Sequence, residues 1–392
     1  MSATANQTID FEAKLNNFNA YLAEDPKNLN LLAEIIDLNM HLKNYGEAKE
    51  KINVALAIEK DNPYFKLRLS TALIAEANFE GSIGITTELL KNNFAEPEIK
   101  FNHGYALALN GQYNEAKELL LALYHDQHPF QFLPATLIRT LHHLGEIDGA
   151  IEIANSHLQN HPDDDSVIGM LSLLYFDNDD FINAQAAAAN ALKLAPNNLD
   201  ALVSAAGSYI GDEKIDEASE VLNRALLLQP NNGRVLAKIG LINMLNQDLN
   251  AAEINMQKAL KAMPEHIGSW HVLGWIQILQ QKTNEAETTF NHALSLDRTF
   301  GESHGGLAVI EAIKGNWAKS DEYTKVAKKL DGAVMSTYYV AILKLQDEGK
   351  GDDAAKLINT IMSTNKLPNG ATFQDLLNKV SNRNIKKWVL GS

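Results

Sequence analysis

The sequence predicts an all-α solenoid of about ten 34-residue helix–turn–helix repeats, and three observations carry that expectation. Small residues recur in one phase, at Ala48, Ser82, Ala116, Ala150, Ala184, Ala218, Ala252, Ala286, Ser320 and Ala354, with no insertion or deletion between them. Within each period the apolar residues keep a helical spacing that a turn breaks once. Hydrophobic residues make up 45 % of the chain and proline only 10 positions, which suits a continuous helical protein and not a disordered one. Each unit of such an array packs only on its neighbours, so 392 residues lengthen the core without dividing it into separate globular domains.

The elements follow in order. Residues 1–28 are expected to form an N-terminal cap, with Ile9, Phe11, Leu15, Phe18 and Leu22 on one face of an amphipathic helix ending near Glu24. Ten units follow at 29–62, 63–96, 97–130, 131–164, 165–198, 199–232, 233–266, 267–300, 301–334 and 335–368. Pro63 and Pro97 fall at the first residue of a first helix, where a missing N–H costs nothing. Pro26, Pro162, Pro196, Pro230 and Pro264 fall in closing loops, and Asn110-Gly111, Gly145-Glu146 and Gly315-Asn316 mark turns inside units. Residues 369–392, with Phe373, Leu376, Leu377 and Val380, are expected to cap the far end and finish in a tail.

The clearest unit reads Trp270-His-Val-Leu273-Gly274, then Ala286-x-x-x-Phe290 and Ala293. Gly274 and Ala286 let two antiparallel helices approach, while Trp270, Leu273 and Phe290 fill the volume around them. Leu171, Tyr175, Ala184, Ala188, Ala191 and Pro196 make a related set, as do Tyr209, Ala218, Leu222, Ala225 and Pro230, and then Gly240, Ala252, Met256, Ala259 and Pro264. The chain resembles the tetratricopeptide repeat family. That resemblance implies a right-handed superhelix and a non-catalytic scaffold or adaptor, holding a protein or peptide partner in a concave groove lined by first helices. No cofactor and no metal are expected, on grounds of motif and spacing. Unit positions 2, 5, 6, 9 and 12 line the groove in the family, which here designates Tyr105, Arg139 and His142, then Arg234, Lys238 and Leu241, then His271, Trp275 and Ile278. Phe101, Gly207, Ile210, Met244 and Gly268 accompany them by the same register, and His143 lies beside His142 in the same stretch. His271 and Trp275 share one helical face. Beside Gly207, Gly305 and Gly306, Trp275 would wall a recess for an apolar anchor with an acidic neighbour; the other placement open to it is burial between adjacent first helices.

Other features bound the function. Residues 1–300 hold 21 Lys/Arg against 39 Asp/Glu, whereas residues 301–392 hold 13 against 10. An acidic surface of that kind opposes nucleic acid and anionic lipid. No apolar run is long enough to insert in a membrane and no signal peptide is seen, so a cytoplasmic location is expected, with oligomeric state left open. Cysteine is absent, which removes thiol nucleophiles, disulfides and cysteine metal sites. The pairs His157/His161 and His125/His128 have helical spacing but too few ligands for structural zinc, and read as surface residues. Asp163 to Asp165 and Asp177 to Asp180 read as helix caps. The loop His128-Pro-Phe-Gln-Phe132-Leu-Pro134 departs most from the pattern; Phe130 and Phe132 either shape access to the groove or repair packing, the second being favoured. No first helix carries Lys-x-x-x-Asn in register, which disfavours an adaptor for chaperone tails. No phosphate loop, nucleophile elbow or dinucleotide fingerprint appears, so no enzyme is expected. The alternative reading is a chaperone or assembly factor for a secreted, pilus or flagellar subunit, or a peptide-sensing regulator.

Overall fold

A computed structural model describes residues 2–364 apart from 213 and 333, with side chains from Phe11 onward. Regular structure among the described residues is helical throughout. The chain opens with α1 (Ser2–Glu24), which begins well before the expected Ile9. Ten helix hairpins follow: α2 (Leu29–His41) with α3 (Tyr45–Ile58), α4 (Pro63–Ala75) with α5 (Phe79–Lys91), α6 (Pro97–Leu109) with α7 (Tyr113–His125), α8 (Leu133–His143) with α9 (Ile147–Asn160), α10 (Asp165–Asp177) with α11 (Phe181–Leu194), α12 (Leu199–Gly211) with α13 (Ile215–Leu228), α14 (Gly233–Leu245) with α15 (Leu249–Ala262), α16 (Ile267–Leu279) with α17 (Thr283–Leu296), α18 (Gly301–Ile313) with α19 (Trp317–Leu330), and α20 (Met335–Asp347) with α21 (Gly351–Thr364). The expected cap at 369–392 lies outside the described residues.

The chain falls into two compact units, Met1–Met170 and Leu171–Ser392. In the first, α1 packs on α2, and α2 to α9 form successive hairpins, each second helix also packing on the next first helix. Leu15, Phe18 and Leu22 of α1 close the end of the core at Leu32, Ile35 and Phe65. In the second, the same pattern runs from α11 to α21, with α18 also packed against α16 and α20.

The 34-residue beat has a packing cause. All ten small residues of the column are buried, none more than 2 % exposed. Each sits where the two helices of a hairpin cross, and a neighbouring pair of positions trades volume across the same crossing. A Cβ on Gly104 would lie 3.2 Å from Leu120, one on Gly240 would lie 3.1 Å from Met256, and one on Gly274 only 2.6 Å from the Phe290 ring. Ile138 faces the other way in volume, with Ala154 at the matching position, and both are fully buried. Where the column is serine, its hydroxyl is satisfied: Ser82 Oγ meets Ser70 Oγ at 2.8 Å, and Ser320 Oγ donates to the Ala308 carbonyl at 2.8 Å.

Among the described residues, nine of the ten first helices are followed by a left-handed residue. Lys43, Ala77, Gly111, Gly145, Asp179, Gln247, Gln281, Gly315 and Gly349 all take φ between 57 and 79° at the equivalent turn position. Several first helices begin on side-chain caps, as where Asn28, Asn198 and Asn232 accept from the N–H groups of Leu31, Ala201 and Val235, whereas α6, α8, α18 and α20 begin without one. Asp164 caps Val167 at 3.1 Å, and Asp180 caps the second helix α11 through Asn183 at 3.2 Å. His266 takes this place for α16, its Nδ1 accepting from the Ser269 N–H at 3.1 Å. A neutral imidazole is required for that bond, and burial, helped by the Arg234 charge, pushes the ring's pKa below its ordinary value.

Candidate functional site

In the second unit, three successive first helices meet at Phe176 on α10, Gly207 on α12 and Lys238 on α14. Gly207 is what permits the meeting: a Cβ there would lie 2.4 Å from Phe176 Cζ and 2.9 Å from Lys238 Nζ. The Phe176 ring occupies the vacated space, and Lys238 Nζ stands 4.5 Å from its centroid. An ammonium over a ring face is attracted by the ring quadrupole. One turn earlier on α14, Arg234 Nη1 donates to Asp177 Oδ2 at 2.8 Å. Among the described residues, Lys238 Nζ has neither a hydrogen-bond acceptor nor an ion pair. Burial pushes the Lys238 pKa down to about 8; Asp177 opposes the fall and Arg234 adds to it. Arg234 and Asp177 thus fix one another, and the lysine is held by a ring with its N–H donors unspent. Such a group suits an incoming carboxylate. Leu241, one turn further along α14 and half-buried, shares the face.

The α16 stretch is packed more tightly than the register implies. His271 is only 8 % exposed. Its Nε2 lies 3.2 Å from Ser303 Oγ, and its ring meets Phe290 and Phe300 edge to face at 5.3 and 4.9 Å. Burial among these groups pushes its pKa down to about 4. Trp275 is half-buried, edge-on to Phe290 and Tyr339, and together with Ile278 it packs on the clusters around Leu307 and Ala308. The recess expected beside Gly305 and Gly306 is filled. A Cβ on Gly306 would meet the Phe290 ring at 2.5 Å, and one on Gly305 would meet Ser336 at 2.7 Å and Val334 at 2.9 Å. These glycines serve close approach between helices and leave no space for a ligand.

In the first unit, Tyr105 stacks on Phe101 at 5.7 Å and on Phe132 at 6.5 Å, and burial raises its phenol pKa. Arg139 and His143 are exposed and His142 is half-buried. His143 stacks on Tyr113 at 4.4 Å, near enough to Arg139 for that charge to oppose the burial-driven rise in the Tyr113 pKa. The irregular loop does pack, because Phe130 stacks at 4.7 Å on buried Phe101; yet Phe132 stays 55 % exposed.

Two participants were missed by the sequence reading. Phe176 sits at position 12 of unit 165–198, so the register rule applied one unit earlier would have found it. Asp177 was read as a cap and is instead the ion-pair partner of Arg234. Nothing local in the sequence signals that pairing.

Comparison with known proteins agrees with the geometry. Two models described as tetratricopeptide repeat match residues 175–242 and 267–300, which hold the Phe176–Gly207–Lys238 meeting point and the α16 stretch. No curated protein matches the chain. Among solved structures, the human IFIT1 dimer with m7Gppp-AAAA is similar over 90 % of this chain and 93 % of that one, at 14 % identity and a TM-score of 0.54. YrrB, a TPR protein with an unusual peptide-binding site, is similar over 48 % of this chain and 97 % of its own, at 18 % identity and a TM-score of 0.36. PilF of Pseudomonas aeruginosa is similar over 55 % of this chain and 97 % of its own, at 18 % identity and a TM-score of 0.41. With a buried small-residue column at every hairpin and family models matching residues 175–242 and 267–300, the chain is a tetratricopeptide repeat protein.

Proposed function

We propose that this protein is a non-catalytic scaffold that holds an extended segment of a partner protein on the first-helix face of its second unit. Tetratricopeptide repeat proteins generally mediate protein or peptide interactions, and the finer reading adds a site. The observation that carries it is the Lys238 ammonium, fixed over Phe176 without an acceptor, beside an Arg234 whose charge is already spent on Asp177. An acidic group of the partner would meet Lys238, and an apolar neighbour would lie along Leu241. A charged group left half-desolvated without a partner is unfavourable in the free protein, and an incoming carboxylate relieves that penalty. The test is a random peptide display library panned on the full chain, with Lys238→Met protein as counter-selection. Enrichment of peptides pairing an acidic residue with an apolar one supports the reading; identical selections from both proteins contradict it.

A further inference from the structure

We propose that the first unit carries a second docking site, for a basic, proline-rich segment in the polyproline II conformation, in the cleft between the 128–134 loop and the 157–164 segment. It is independent of the Lys238 site. The cleft is open and has a volume of about 650 Å³. One wall is aromatic. His128 and Phe130 line it, and they end a ladder that continues behind the cleft through Phe101, Tyr105 and Phe132, with successive ring centroids from His128 5.9, 4.7, 5.7 and 6.5 Å apart and the last three interplanar angles at 10° or less. Its inner rung, Phe101, is buried, so Phe130 is presented to the cleft in a fixed orientation. The opposite wall is acidic. Asp164 is already used, capping Val167 and meeting His157 Nε2 at 2.9 Å, while His157 stacks on His161 at 4.6 Å. Asp163 is exposed, and among the described residues its carboxylate has no partner.

Three features select the occupant. Pro129, Pro134 and Pro162 line the cleft without backbone N–H groups, so its rim is a poor edge for an added strand. A polyproline II segment asks for no such ladder, since its backbone bonds to water, and it docks on aromatic-lined grooves. The unspent Asp163 charge favours a Lys or Arg on that segment and repels a phosphate backbone, which is why stacked rings here do not point to nucleic acid.

The site is tested by fluorescence-anisotropy titration of the full chain with three labelled probes: a synthetic Arg-Pro-Pro repeat peptide, its Glu-Pro-Pro counterpart and a single-stranded oligothymidylate. The proposal expects binding of the first probe alone. Asp163→Lys, at an exposed position, should weaken that binding about tenfold. Phe130→Leu, which keeps apolar volume but removes the ring, should weaken it about fivefold. Lys238→Met should leave it unchanged, which separates this site from the one in the second unit. Equal binding of the Glu-Pro-Pro peptide, preference for the oligothymidylate, no binding of any probe, or wild-type affinity in both first-unit variants would each overturn the proposal.

Discussion

The Nζ of Lys238 stands 4.5 Å from the centre of the Phe176 ring, in space that exists because residue 207 is glycine. That arrangement is unfavourable for the isolated protein. The folded pKa, about 8, is below the ordinary 10.5, so folding disfavours the charged form. Stability is fully present only above the unfolded value of 10.5 and is lost as pH falls through the folded value of about 8. Lys238→Met, with the flexible thioether against Phe176, is therefore expected to stabilise the protein at pH 7 by about 1 kcal/mol. The gain should shrink as pH rises through 8 and vanish only above about 10.5, as chemical denaturation across that range will show.

His271 makes the complementary acid prediction. Its folded pKa, about 4, is below the ordinary 6.5, so its contribution is present above 6.5 and lost as pH falls through 4. The interval corresponds to about 3 kcal/mol at full protonation. His266 titrates in the same direction, since its capping bond needs the neutral ring. Replacing His271 with Leu should flatten the fall of the urea midpoint between pH 7 and pH 4, and an unchanged slope would remove His271 from the account.

Phe290 lies between two glycines, Gly274 and Gly306, whose added methyls would come within 2.6 and 2.5 Å of its ring. Gly274→Ala is expected to destabilise by about 1–3 kcal/mol through overpacking. Phe290→Leu alone should also destabilise, by leaving a cavity. Combined, the two should lose less than the sum of their separate effects, and thermal melts of the four proteins in a double-mutant cycle measure that coupling.

The left-handed turn position predicts small gains. Ala77 takes φ 58° and Gln247 φ 65°, conformations that glycine adopts without strain. Ala77→Gly and Gln247→Gly should each raise stability by about 0.5–1 kcal/mol, while Gly145→Ala, at φ 75°, should lower it by about 1 kcal/mol. Differential scanning calorimetry resolves shifts of that size.

Trp275 illustrates how register and packing diverge. From register it is a groove residue whose loss should weaken partner capture without changing the melting temperature. Its edge-on contacts with Phe290 and Tyr339, and its place in the core around Leu307 and Ala308, instead predict that Trp275→Ala destabilises by about 2 kcal/mol. An unaltered melting temperature would restore the original expectation.

The hairpins were legible because the beat Ala48 to Ala354 reflects one helix crossing repeated ten times, and Pro63 and Pro97 mark helix starts that need no N–H. The turns at Lys43, Ala77 and Gln247 were not, since nothing in those side chains signals positive φ; the repeat imposes it. Groove positions were legible only as a register. Whether a position faces solvent depends on its neighbour one or two units away: His271 is enclosed by Phe300 and Ser303, and Lys238 gains its aromatic seat from Phe176. Such pairings lie beyond any local pattern.

The most direct test of the scaffold reading is the affinity of a library-selected acidic–apolar peptide for the full chain, titrated at pH 7 and pH 9.5. If Lys238 receives the acidic group, wild-type affinity should fall about tenfold as the ammonium deprotonates, whereas Lys238→Met should bind weakly and equally at both pH values. Wild-type affinity in the Lys238→Met protein would contradict the account.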